Sequence, residues 1–112
     1  MKTNHPIEVT DASFETEVLR DGRPVLVDFW APWCPPCRAL APTIDALAES
    51  FDGRATIAKL DVDRNPETAT AFGISSIPAV LIFRDGREVD RLVGLQPRSR
   101  YELALEGAGA VA

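Results

Sequence analysis

Cysteine is scarce in this chain. Of its 112 residues only Cys34 and Cys37 are cysteine, so no disulfide framework holds the fold together. Histidine is scarcer still, with His5 alone and far from the thiols. A structural zinc site normally needs four Cys or His ligands, so two thiols and one histidine allow a metal only if two chains share it. Nor is there a long apolar run. Neither "MKTNHPIEVT" at the N-terminus nor any later segment reads as a signal peptide or membrane span. Positive charge is in deficit, and a net charge of -5 argues against nucleic acid or anionic lipid as the main partner. Internal repeats, low-complexity blocks and linkers are also missing, so residues 1–112 read as a single domain.

What is present is ordinary globular composition, 46% hydrophobic and 26% charged, in a chain long enough to bury a core unaided. Nothing directs it out of the cytoplasm, and a cytoplasmic monomer is the expectation. "IEV" at 7–9 reads as a strand, followed by a helix that Thr10 or Asp11 can cap and whose apolar face is Phe14, Val18 and Leu19. "VLVDFW" from Val25 is a continuous apolar run, the mark of a strand buried on both faces. After Cys34 the period changes. Cys37, Leu40, Ala41, Ile44, Leu47, Ala48 and Phe51 follow helical spacing, with a kink expected at Pro42. "ATIAKLDVD" is another strand, "NPETATAFG" a short helix stopped by Gly73, and "AVLIF" a fourth strand. "RDGR" at 84–87 turns the chain into "EVDRLV", and a last helix begins near Pro97. The tail "GAGAVA" is expected to fray. The order is β-α-β-α-β-α-β-β-α: an α/β sandwich with one mixed central sheet, parallel across the early helices and antiparallel at the final hairpin.

The chemistry concentrates in "VDFWAPWCPPCRALAP", Val27 to Pro42, which holds both cysteines and both tryptophans. Two residues three apart on a helix share a face about 5–6 Å apart, within the Cα window of a disulfide. Cys34 and Cys37 can therefore open and close a bond with little backbone movement. Cys34 stands at the helix N-terminus, where unpaired N–H groups and the dipole favour a thiolate. Cys37 lies one turn in, on the apolar face, and is expected to be more buried and less acidic. That makes Cys34 the nucleophile and Cys37 the resolver. The bland alternative is a pair of small core residues, which the flanking Trp33 and the intervening Pro35 and Pro36 argue against.

"FWAPWCPPC" resembles the thioredoxin active site, and the resemblance extends over nearly the whole chain. It includes the acid of "VDFW", Ile77-Pro78 ahead of a strand, and Gly94 after the last strand. It implies the thioredoxin fold, about five strands flanked by about four helices. It also implies a general protein-disulfide reductase with no bound cofactor. Such proteins take electrons from NADPH through a flavin-dependent thioredoxin reductase and pass them to disulfide-containing protein substrates. Within the same chemistry, the alternatives are a protein-disulfide oxidant or a dedicated reductant of an exported pathway. From another class, the rival is a redox-inert binding module, against which the intact dithiol, acid and Ile-Pro argue. Two departures from the family bear on potential and partner choice: Pro35-Pro36 replaces Gly-Pro, and Ser75-Ser76 precedes Ile-Pro where a basic residue and Gly are common.

Several supporting residues carry more than one reading. Asp28 is either a strand-end acid facing water or a desolvated carboxyl raised toward neutrality that accepts the Cys37 proton through a water. Lys59 is either its moderating neighbour or a solvated strand lysine. Pro78 is either a trans proline guarding an edge strand or, as the resemblance implies, a cis proline facing the disulfide. In the second case it leaves Ile77 backbone groups free to pair with an extended substrate. The resemblance further implies a flat apolar rim of Trp33, Ile77, Pro78, Gly94 and Leu95 around an exposed Cys34 sulfur, with Gly94 allowing close backbone approach. Trp30 is read as structural, and both tryptophans as fluorescent reporters of redox state. The double proline is expected to lower the reduction potential by withholding N–H donors from the thiolate and by preorganising the loop.

Overall fold

The computed structural model describes residues 5–110. Its five strands are β1 (Ile7–Glu8), β2 (Val25–Trp30), β3 (Thr56–Asp61), β4 (Ala79–Arg84) and β5 (Arg87–Val93). Three α-helices, α1 (Pro35–Ser50), α2 (Pro66–Ala71) and α3 (Arg98–Gly107), and one π-helical segment (Glu15–Leu19) complete the sandwich. The strands lie in the order β1-β3-β2-β4-β5. β1 and β2 run parallel to β3, while β4 is antiparallel to both β2 and β5. The connection through α2 thus returns the chain antiparallel, not by a parallel crossover.

The central strands β2 and β4 are buried along almost their whole length, as continuous apolar runs require. Alternation divides their side chains between two faces. Leu26, Val80 and Ile82, with Leu92 of β5, pack with Leu40, Ile44 and Leu47 of α1, with Phe51 just after it, and with Tyr101 and Leu105 of α3. Val25, Val27, Phe29, Leu81 and Phe83 pack on the other face with Phe14, which precedes the π-helical segment, with Val18 within it, and with Ala69 of α2. There Phe14, Phe72 and Phe83 form a ring cluster with centroids 5.2–5.6 Å apart. The β4–β5 turn has positive φ at Asp85 (53°) and Gly86 (78°), the conformation a two-residue hairpin with right-handed strand twist demands.

Two local expectations change. Thr10 does hold the first turn, its hydroxyl accepting the Ser13 N–H at 3.1 Å. Asp11 instead serves α2, accepting the Thr68 N–H at 2.8 Å, the Thr68 hydroxyl at 2.6 Å and the Glu67 N–H at 3.2 Å. Burial pushes the Asp11 carboxyl up, but the bonds from Thr68 and Glu67 outweigh it and hold it below its ordinary range. The α2 cap is supplied from across the chain, so no local pattern could announce it. As the helical spacing predicts, Pro42 lies inside α1, and the helix continues past it to Ser50. Finally, the tail does not fray as far as it is described: Ala110 is wholly buried against the α1/α3 face of the sheet.

Candidate active site

The site gathers where β2 ends and α1 begins. β2 carries the chain into a short turn, and Cys34 takes an extended backbone (φ −92°, ψ 109°) as the N-cap of α1. Pro35 and Pro36 occupy the first two helical positions, where a missing N–H costs nothing because the helix supplies no acceptor there. The next available donor is the N–H of Cys37, and it donates to Cys34 Sγ at 3.3 Å. The two cysteines are joined as a disulfide with Cα atoms 5.2 Å apart. An Arg38 guanidinium N–H donates to the Pro32 carbonyl at 3.0 Å and ties the turn before the cysteines to the helix.

Burial does not separate the thiols. Cys34 and Cys37 are each 2% exposed, so the expectation of an exposed Cys34 sulfur beside a more buried Cys37 is not met at the residue level. Both are enclosed with Ala31 against Trp30, Val62 and Ile77. What distinguishes them is position: only Cys34 sits beyond the first helical N–H groups and receives one.

The Ile77-Pro78 peptide bond is cis, and the Ile77 carbonyl oxygen lies 3.9 Å from Cys34 Sγ. Pro78 is buried, and its carbonyl accepts the Gly94 N–H at 2.8 Å. The structure therefore brings Cys34, Cys37, Ile77, Pro78 and Gly94 into one continuous neighbourhood. Gly94 has φ 82°, a region that disfavours side chains, and a Cβ built there would meet nothing within 4 Å. Its backbone conformation, not crowding, requires glycine. Leu95 follows at 53% exposure and Trp33 stands 63% exposed, its indole N–H donating to Asp63 at 2.7 Å. Asp63 is a contributor that sequence reasoning missed, since an aspartate in a polar turn carries no distinguishing pattern.

Asp28 is 1% exposed, and its Oδ1 is enclosed without a hydrogen-bond partner. Lying two residues beyond Leu26 on β2, it faces the same α1/α3 layer. Burial lifts its carboxyl from 3.8 to about 7, and the charge of Lys59, its register neighbour on β3, limits the rise. Among the described residues Lys59 makes no ion pair with it. The Lys59 ammonium instead lies 4.4 Å over the Trp30 ring, a cation–π placement that keeps it near the acid without neutralising it. Trp30 is half-buried with its indole nitrogen enclosed and unpartnered. No group of three or more His, Cys, Asp or Glu among the described residues could hold a metal. No helix among them is long and apolar enough to cross a membrane.

This constellation, a disulfide at a helix N-terminus with a cis proline against it and a buried acid beneath, can be compared with known proteins. The Thioredoxin family profile matches residues 5–106. The chain belongs to the thioredoxin family. Among curated relatives, thioredoxin of Synechocystis is 48% identical over 99 residues, covering 88% of this chain and 92% of that one. Thioredoxin of Alicyclobacillus acidocaldarius is 50% identical over 97 residues, 87% of this chain and 91% of its own. Thioredoxin of Mycobacterium bovis is 52% identical over 93 residues, 83% and 80% respectively. With that membership and a closed Cys34–Cys37 pair, the protein is a thiol-disulfide oxidoreductase and a protein-disulfide reductase. Its redox centre is its own disulfide.

Proposed function

We propose that Cys34 is the attacking thiol and Cys37 the resolving one, within a single thioredoxin domain spanning residues 1–112. The Cys34 thiolate attacks one sulfur of a substrate disulfide, forms a mixed disulfide, and releases the other substrate sulfur as a thiolate. Cys37 then gives its proton, through a water, to the Asp28 carboxylate and attacks Cys34 Sγ. The Cys34–Cys37 bond closes, the second substrate sulfur leaves, and two electrons have passed from dithiol to substrate. Lys59 tempers the Asp28 carboxyl so that it cycles near neutral pH. Trp33, Ile77, Pro78, Gly94 and Leu95 form the surface on which an extended substrate segment docks. Pro35 and Pro36 set the poise of the couple. Electrons arrive from NADPH through a flavin-dependent thioredoxin reductase, and the protein works as a cytoplasmic monomer without nucleic acid or membrane.

The observation that carries the order of attack is the Cys37 N–H bonded to Cys34 Sγ at the start of α1. A donor and a helix N-terminus aimed at one sulfur stabilise the thiolate there and not one turn later. The test is substrate trapping. Cys37→Ser should accumulate substrate proteins as stable mixed disulfides through Cys34, seen as dithiothreitol-sensitive adducts on non-reducing gels. Trapping by Cys34→Ser in its place reverses the assignment.

A further inference from the structure

Tyr101 is the chain's single tyrosine, and it is fully buried in an aliphatic cluster with Leu92 and Leu105. A phenol in such a place costs stability unless its hydroxyl is bonded. The hydroxyl reaches out of the core to the loop between β5 and α3. It accepts the Gln96 N–H at 3.2 Å and donates to the Gly94 carbonyl at 3.4 Å. Gly94 in turn donates its N–H to Pro78. A chain of three hydrogen bonds therefore links the cis proline, Gly94, the Tyr101 hydroxyl and Gln96. The side-chain amide of Gln96 braces the same loop on the Val93 carbonyl at 3.1 Å. Leu95 is the residue held between the two bonded backbones.

We infer that Tyr101 is a positioning residue for substrate docking: its buried hydroxyl fixes the Gly94–Gln96 loop and so presents Gly94 and Leu95 beside Pro78. This rests on the reading of Gly94 and Leu95 as part of the docking surface. Residues 94–97 belong to neither β5 nor α3, so beyond the Gly94–Pro78 bond the shape of this loop depends on outside anchors such as Tyr101. Burial raises the phenol's pKa, the Gln96 bond opposes this, and the Asp28 charge adds to the rise. The O–H is thus retained as a donor at neutral pH. Phenylalanine fills the same core volume and lacks only the anchor.

The reduced protein is mixed with increasing insulin as the probe protein disulfide, and single-turnover oxidation is followed by tryptophan fluorescence. Tyr101→Phe should raise the half-saturating insulin concentration about three- to tenfold, with a smaller change in the limiting rate, and should speed hydrogen exchange at the Gln96 amide. Leu95→Ala, run beside it, should also raise the half-saturating concentration. If Leu95→Ala raises it and Tyr101→Phe does not, the positioning role is wrong and the docking surface stands. An unchanged Leu95→Ala removes the docking surface and the role of Tyr101 with it. A Tyr101→Phe defect confined to the limiting rate, or unaccelerated Gln96 exchange, overturns the inference as well.

Discussion

A carboxyl enclosed between a sheet and two helices favours its neutral form, and Asp28 shows how that preference becomes a stability profile. Its pKa rises from 3.8 to about 7 because burial penalises the carboxylate more than Lys59 relieves it. Between these values the unfolded chain has released the proton and the folded chain keeps it. Stability therefore falls as pH climbs from about 4 to about 7, then levels. The full cost above that window is roughly 4 kcal/mol. Asp28→Asn should remove this slope and raise stability at pH 8 by about 2–4 kcal/mol, read from urea unfolding at pH 5 and pH 8. Resolution of the mixed disulfide near neutral pH should slow in the same variant. Equal stability of the two proteins at both pH values would show that the carboxyl is hydrated. The acid itself was legible as a charge within "VLVDFW". The parking of Lys59 over Trp30 was not, because it depends on how β2 and β3 pair.

At the scale of the element, the start of α1 decides what two adjacent prolines do. A residue before proline avoids the helical region, so Pro35 threatened to strain Cys34. As the N-cap, Cys34 already has the extended backbone that such a residue prefers, and that cost vanishes. The expected loss of donors shrinks as well. An N-cap side chain bonds the N–H of the second or third helical residue, and here the third, Cys37, supplies it. Pro35 is the first, so restoring its N–H adds little to the thiolate. Stiffness remains. A fixed φ narrows the conformations of the open dithiol and favours ring closure, which makes the protein more reducing. Pro35→Gly should therefore shift the potential upward by roughly 10–20 mV while leaving the Cys34 pKa nearly unchanged. Equilibration against glutathione gives the first quantity and thiolate absorbance the second. A marked fall in pKa would return the withheld donor to the account, and a more negative potential would show that strain governs the first turn.

Across the whole molecule, what the sequence disclosed was mostly local. Buried strands show as unbroken apolar runs, α1 as a change to helical period, and the hairpin as Asp-Gly between them. Contributions that cross the chain were silent: Asp11 capping α2, Asp63 holding Trp33, and Tyr101 anchoring the loop after β5. The C-terminal tail belongs with these. Its glycines and alanines suggest nothing to pack, yet Ala110 is sealed against Tyr101 and Leu105. Arg84 at the end of β4 donates to the Ala108 carbonyl at 3.3 Å, and its Nη1 lies 2.8 Å from where a Cβ on Gly109 would stand. The tail thus closes the end of α3 and one edge of the core that also encloses Asp28. Removing residues 108–112 should destabilise the protein by about 1–3 kcal/mol, from lost apolar contact and an exposed helix end. Removing 111–112 alone serves as the control. Both are compared with the full chain by urea unfolding at pH 5, where Asp28 is neutral in the folded state and adds no charge of its own. If the two truncations unfold at the same denaturant concentration, the tail contributes no more than its composition suggests. A clear gap between them places Ala108 to Ala110 among the residues that hold α3 to the sheet.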